Sequence, residues 1–411
     1  MTKRRAILMV AATWLALPGT TGAQLVGEYR AVLETPGGEL PFILLLEKGP
    51  GGLRGRVMNG GEKIEIPLVR LEGNRVVMEF THYDSLIEAE RLGRDKGRRL
   101  RGRWTKRSGA ATTVSLPFSA EPYSGHRFSP HLQVTSEVLT HPPIGGRWAV
   151  KFSGDEDGAV GIFQPGEGHM LEGTVLTTTG DYRYLAGSYE HGLLRLSCFD
   201  GTHAFLLSAR VESDGSLRGD FWSGAKWHQA WTAKRDEKAS LPDGFGLTRI
   251  RSPGRVRGLT FRDLEGRERA LGDGGLMGKA TIIEVFGSWC PNCHDAAKLL
   301  VELERTYGPR GLRVVGLAFE ATDDPRQVRR YAERHGVTYP MLMGGRADKR
   351  EASTALPVID RVRAFPTFLF VDGEGVVRSV YTGFTGPAGG AEHERLRGQF
   401  RRVIEELLAG R

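Results

Sequence analysis

"EVFGSWCPNCHD", residues Glu284–Asp295, sets two cysteines two residues apart, behind an apolar run and ahead of a helical pattern. The run "ATIIEVFG" (Ala280–Gly287) is unbroken by polar alternation except at Glu284, as expected for a central strand buried on both faces. After the pair, Ala296, Leu299, Leu300, Leu303 and Tyr307 recur at helical spacing until Gly308 stops the pattern. Cys290 therefore falls at a helix N-terminus, where free N–H groups and the positive end of the dipole favour a thiolate. Pro291 suits the first helical turn, and the two-residue spacing keeps the sulfurs within bonding reach. A thiolate at Cys290 can attack a partner's disulfide, and Cys293 can then displace the partner by closing the internal bond. A metal clip and a purely structural disulfide are the competing readings.

Outward from this stretch the chain alternates strand and helix. "LRVVGLAF" (Leu312–Phe319) is the next buried strand. Asp324, Pro325 and Gln327 read as N-cap, first-turn proline and capping-box glutamine of a helix to His335, with Gly336 as its stop. "TFLFV" (Thr367–Val371) and "VVRSVY" (Val376–Tyr381) form a hairpin, and a last helix runs from about Ala391 to Ala409. This order predicts an α/β domain over 259–411, a sheet flanked by helices. Residues 236–258, rich in charge, glycine and proline, read as a linker.

The region before the linker is all-β in pattern, with glycines punctuating short alternating runs. It also repeats itself. "GEYRAVL" at Gly27 returns as "GRWAVKF" at Gly146, and "RRLRGRWTK" at Arg98 as "GSLRGDFWS" at Gly215. The offset stays at about 118 residues, the mark of a duplicated unit. Two similar antiparallel β units, barrels or sandwiches, are expected at 24–120 and 140–235, joined near Pro117 to Ile144. Tyr29, Trp104, Trp148 and Trp222 are expected in their cores.

Lys3, Arg4 and Arg5, the apolar run Ala6–Leu17, and Thr21-Gly22-Ala23 form an export-signal pattern over 1–23. The run falls short of the ~20 residues that span a bilayer. Cleavage near Ala23 and a periplasmic or other extracytoplasmic location follow as expectations. Loss of three basic residues would lower the net charge from +8 to +5. The basic run at Arg98–Arg103 lacks the aromatic spacing of a base-stacking surface, so nucleic acid is not expected as a partner. Three cysteines are too few for a disulfide-stapled scaffold. Cys198 reads as a small buried strand residue. The histidines show no metal-ligand spacing, and His294 reads as a partly exposed helix residue.

"FGSWCPNC", "AFPTFLF" (Ala364–Phe370) and the β–α order around them resemble the thioredoxin superfamily, in particular its exported TlpA/ResA-like branch. The resemblance covers roughly residues 254–411, and the segment from Glu320 to Arg361 looks like the inserted piece of that branch. It implies Cys290 as nucleophile and Cys293 as resolving cysteine, the two forming a redox-active disulfide, with Trp289 packed beside them. It implies a cis-proline at Pro366 facing the disulfide, with the Phe365 backbone pairing with a substrate peptide and the proline discouraging metal. Glu284 stands where thioredoxin carries a buried aspartate. Desolvation would raise its pKa and let it take a proton from Cys293; a solvated glutamate or one bonded to Lys279 is the plainer alternative.

The function expected is an extracytoplasmic thiol–disulfide oxidoreductase of reductase type, acting on protein thiol or disulfide clients without a cofactor. An upstream membrane electron donor or acceptor would feed it. Copper delivery on the same scaffold is the alternative; its usual C-x-x-x-C spacing is absent. A peroxidase would place Thr or Ser where Gly287 stands and Pro where Ile283 stands. The β-rich half is expected to be a recognition module or a spacer.

Overall fold

The computed structural model describes residues 25–93, 98–108, 112–129 and 143–410. The export-signal stretch and part of the connector between the β units lie outside the described residues. Among the described residues no helix is long and apolar enough to cross a membrane.

The first β unit is one nine-stranded antiparallel sheet. Its strands run up and down in chain order, and the first, Gly27–Thr35, pairs with the last, Thr112–Pro122. Neighbouring strands Glu62–Ile66 and Leu68–Glu72 form the two free edges, which makes the unit a barrel with one open seam. The second unit repeats the plan. Gly146–Phe152 pairs with Trp227–Arg235, and here Met170–Thr177 pairs both with Ala159–Pro165 and with Leu185–Glu190, so the barrel closes. Closure removes edges that would otherwise invite pairing with other chains. Pro117 lies inside the strand Thr112–Pro122, so the connector starts later than its turn-rich composition suggested.

The repeated L-R-G motif has a steric reason. Gly102 faces Ala89 across the sheet and Gly219 faces Ala209. A Cβ on Gly102 would lie 1.9 Å from the Glu88 carbonyl oxygen, and one on Gly219 would lie 1.8 Å from that of Ser208. The strands approach too closely at both places for any side chain. Tyr29, Trp104 and Trp148 are buried in the barrel interiors, whereas Trp222 is half-buried and stacks on His228.

The barrels share a core. Phe199 of the second packs on Phe42, Phe80 and Trp104 of the first. Asn59 of the first barrel reads the Phe199 backbone twice, donating to its carbonyl at 2.8 Å and accepting its N–H at 3.2 Å.

The C-terminal part is a thioredoxin-like domain: seven strands with helices α1 (Pro291–Tyr307), α2 (Arg326–His335), α3 (Lys349–Ala355) and α4 (Ala391–Leu408). The central strand Ala280–Phe286 is parallel to Leu312–Glu320 and antiparallel to Thr367–Asp372. Met341–Arg346 and α3 lie in the segment that had read as an insertion. α2 begins at Arg326, with Pro325 as N-cap; Asp324 still accepts the Arg326 N–H at 3.0 Å from just outside. Residues 236–258 are no loose linker. Phe245 packs edge-on against Tyr381, Val256 is buried, and Ile250 and Arg255 bridge to Ile359 and Val376. Apolar side chains within a polar stretch found the domain surface and bound it.

Gly219→Ala should lower barrel stability by about 1–3 kcal/mol, as overpacking does. The denaturant midpoint of the full chain measures it.

Candidate active site

The strand Ala280–Phe286 is buried along its whole length and ends at the turn Gly287-Ser288-Trp289, which delivers Cys290 to the N-cap of α1. Cys290 is extended (φ −98°, ψ 112°), so its carbonyl starts the helix while its sulfur turns back over the first turn. There Sγ accepts the Cys293 N–H at 3.3 Å, a donor for the sulfur when it carries charge. The Cys290 thiol donates to the Phe365 carbonyl at 3.4 Å, and the Phe365–Pro366 bond is cis. Trp289 closes the same side. Its indole N–H donates to the Phe319 carbonyl at 2.9 Å, and its ring meets Phe365 edge-on at 5.4 Å. The fold thus brings Cys290, Cys293, Trp289, Phe365 and Pro366 together.

All three cysteines are free thiols. Cys290 is 6 % exposed and Cys293 fully buried. Burial pushes the Cys293 thiol well above its ordinary value, and its neighbours Cys290 and Glu284 push it further. Glu284 is fully buried too, and neither carboxylate oxygen has a hydrogen-bond partner. Burial raises its carboxyl well above the ordinary range, with a smaller contribution from Cys290. It is neither solvated nor bonded to Lys279. Cys198 is buried in the second barrel, far from this chemistry in role, and burial raises its thiol as well.

Two residues differ from the sequence reading. His294 is buried rather than partly exposed. Its Nε2–H donates to the Ser288 carbonyl at 2.8 Å, so Nδ1 accepts from His335 at 2.6 Å. Burial, then the neighbouring His335 and His82, lower its pKa well below the usual range. Glu320 was missed. Its carboxylate accepts the Ser288 N–H at 2.7 Å and the Ser288 hydroxyl at 2.8 Å, directly under the turn that presents Cys290. Burial raises its pKa to about 7, against the lowering effect of those two bonds. A carboxylate ending an apolar strand at the carboxyl edge of an open α/β sheet was the signal available.

The barrels reach this site. A Cβ on Gly180, at a hairpin tip of the second barrel, would lie 2.0 Å from Asn292 Nδ2, between the two cysteines. Asp181 accepts the Gly386 N–H at 2.6 Å. Arg183 pairs with Asp295 of α1, with Glu62 of the first barrel at 2.7 Å and with Asp200 at 3.7 Å. Burial alone would raise the Asp295 carboxyl, but Arg183 and Lys298 hold it below the usual range. Among the described residues no group of three or more His, Cys, Asp or Glu is placed to hold a metal ion.

Residues 255–380 match the AhpC/TSA family model. The chain is similar to the thiol-disulfide oxidoreductase ResA of Geobacillus thermodenitrificans, 30 % identical over 125 residues, which is 30 % of this chain and 66 % of that protein. It is also similar to the thioredoxin-like protein YneN of Bacillus subtilis, 25 % identical over 126 residues, 30 % of this chain and 68 % of the relative. The chain thus spans about two thirds of the length of these relatives. Among solved structures, a thioredoxin-family thiol:disulfide interchange protein from Chlorobium tepidum TLS aligns over 39 % of this chain and 99 % of its own, at 24 % identity and a TM-score of 0.30.

Replacing Glu284 by Gln tests its burial without touching the cysteines. A carboxyl raised by the fold favours the folded state while protonated and disfavours it once ionised. The wild-type chain therefore loses stability relative to Glu284→Gln as pH rises above the ordinary value of 4.5 and toward the raised one. Melting at pH 8 should show the variant a few degrees higher, as ~1 kcal/mol would give, and the gap should close below pH 4.

Proposed function

We propose that the chain is an extracytoplasmic thiol–disulfide oxidoreductase that reduces protein disulfides through Cys290 and Cys293. The observation that carries this reading is the N-cap thiol of Cys290 lying against the Phe365 carbonyl, with the second thiol buried beneath it. The Cys290 thiolate attacks one sulfur of the client disulfide, forming a mixed disulfide and releasing the other client sulfur as a thiolate that takes a proton from water. Cys293 then loses its proton and attacks Cys290 Sγ. The internal disulfide closes, the second client thiol leaves, and two electrons have passed to the client.

Burial keeps Cys293 protonated until the mixed disulfide forms, so the second step needs a base. Glu284 is within electrostatic reach of that thiol, and no other partner holds its oxygens. The Glu284 carboxylate takes the Cys293 proton during the attack. Trp289, Phe365 and Pro366 present the client: the Phe365 backbone pairs with its segment and the Trp289 ring borders it.

The sequence similarity to ResA supports exchange chemistry, and the signal-like start supports export. A membrane electron donor would return the pair to the dithiol. The barrels serve recognition rather than spacing, because they touch Asn292 and Asp295 directly. The peroxidase reading has less support, since Gly287 and Ile283 occupy the places its Thr or Ser and its Pro would take.

Purified protein with dithiothreitol should speed insulin reduction, and Cys290→Ala should abolish the effect; an unaccelerated reaction with both thiols titratable defeats the reading. Glu284→Gln should slow closure of the internal disulfide about 100-fold near pH 7 and flatten its rise with pH. A rate and pH profile equal to wild type would remove Glu284 from the mechanism. Sequencing the N-terminus of chain exported from a bacterial host should begin at Gln24.

A further inference from the structure

Beside Trp289 a cleft of 560 Å3 opens between the first barrel and the redox domain. Sites that bury most of a ligand fall in this range, roughly 300–1000 Å3. One wall is the turn His82–Asp84 with Lys106 of the strand Arg99–Ser108; the other is Trp289, Glu320 and the start of α2.

The opposite approach to Cys290 is occupied. There the second barrel's hairpin tip meets Asn292 through Gly180, lies against Gly383 through the Thr178 carbonyl, and binds Gly386 through Asp181. A client that reaches Cys290 is thereby directed to the Trp289 side.

The charges of the cleft do not cancel. It holds Lys106, Arg107, Arg326 and Arg330 against Asp84, Asp324 and Glu320. Arg107 pairs with Asp84 at 3.4 Å, and Arg326 bonds Asp324 at 2.6 Å. Glu320 is only partly ionised at neutral pH, and its oxygens are committed to Ser288. Lys106 donates to a neutral group, the Thr202 carbonyl, at 3.2 Å, and burial works against its charge. Arg330 is exposed and shares Asp324 with Arg326. Asp200 and Cys290 offset that penalty only in part, and a half-buried ammonium whose hydrogen bond goes to a carbonyl gains from a carboxylate brought to it.

We propose that this cleft docks an extended client polypeptide segment with acidic side chains beside its cysteine, selected by Lys106 and Arg330. The inference rests on the exchange reaction proposed above. It adds the first barrel as the wall that reads the client.

The test uses the reduced full chain and two short peptides that differ only in having Asp or Lys on either side of one cysteine. Each is capped as a mixed disulfide with pyridine-2-thiol, and release of pyridine-2-thione is followed. The ratio of the two rates is the readout, since any change in thiol reactivity cancels from it. The acidic peptide should react roughly tenfold faster at low salt, the scale of local electrostatic steering, and the ratio should fall toward one as salt rises. Arg330→Glu, on an exposed position, should reduce the ratio, and Lys106→Glu combined with it should invert the preference. Arg218→Glu, on the far barrel, should leave it unchanged, which separates the cleft from the chain's net charge. A wild-type ratio near one, or a ratio untouched by Arg330→Glu and by the double variant, overturns the docking inference while leaving exchange intact. Release from both peptides no faster than with Cys290→Ala would overturn exchange itself, and the docking inference with it.

Discussion

A guanidinium shut away from water needs polar or charged partners for its N–H groups, and at Arg183 three carboxylates come from three parts of the chain. Glu62 belongs to the first barrel, Asp200 to the second and Asp295 to the first turns of α1. Removing Arg183 would leave buried carboxylates uncompensated, at a cost of about 3–5 kcal/mol. The three bodies therefore hold one mutual arrangement, and everything at the redox pair inherits it. Asn292 meets Gly180, and His294 meets Tyr83, because α1 is clamped at Asp295.

Within that frame, two sulfurs of one sequence motif live in different surroundings. Cys290 sits where a strand has ended and a helix begins, with a backbone N–H aimed at its sulfur and a carbonyl in front of it. Cys293 lies one turn deeper: Glu284 is near its thiol, and the Tyr331 hydroxyl donates to its backbone carbonyl at 2.7 Å. The asymmetry is one of access: Cys290 is the less deeply buried sulfur and Cys293 is fully enclosed. Desolvation acts on both inner groups in the same direction, raising the Cys293 thiol and the Glu284 carboxyl above their ordinary values.

The β-rich half is built by one solution used twice. Glycine recurs where strands cross too closely for a side chain, and aromatic residues fill the interiors. The copies diverge at the seam. The second barrel closes because Met170–Thr177 pairs with Leu185–Glu190 as well as with Ala159–Pro165, while the first leaves its edge strands Glu62–Ile66 and Leu68–Glu72 unpaired with each other. Glu62 lies on that open edge and reaches Arg183 from it. The imperfect closure of one copy thus supplies a partner for the buried cation carried by the other.

Local physical chemistry made much of this legible in the residues alone. A continuous apolar run has no stable place except the middle of a sheet, and a Cys-Pro start followed by helical spacing has no place except a helix N-terminus; both follow from contacts a few residues apart. The period of about 118 residues betrayed the duplication because strand and turn chemistry repeats with it. The bonding of Glu320 to Ser288, the burial of His294 and the covering of Asn292 were not legible. Each depends on which distant segment packs there: Ser288 lies 32 residues from Glu320, and Arg183 lies 112 from Asp295. Sequence patterns report the periodicity of one element, whereas burial and charge pairing are properties of two surfaces meeting. The chain by itself determined where the paired sulfurs stand, at a strand end and a helix start, and only the packing of the barrels against α1 decided what surrounds them.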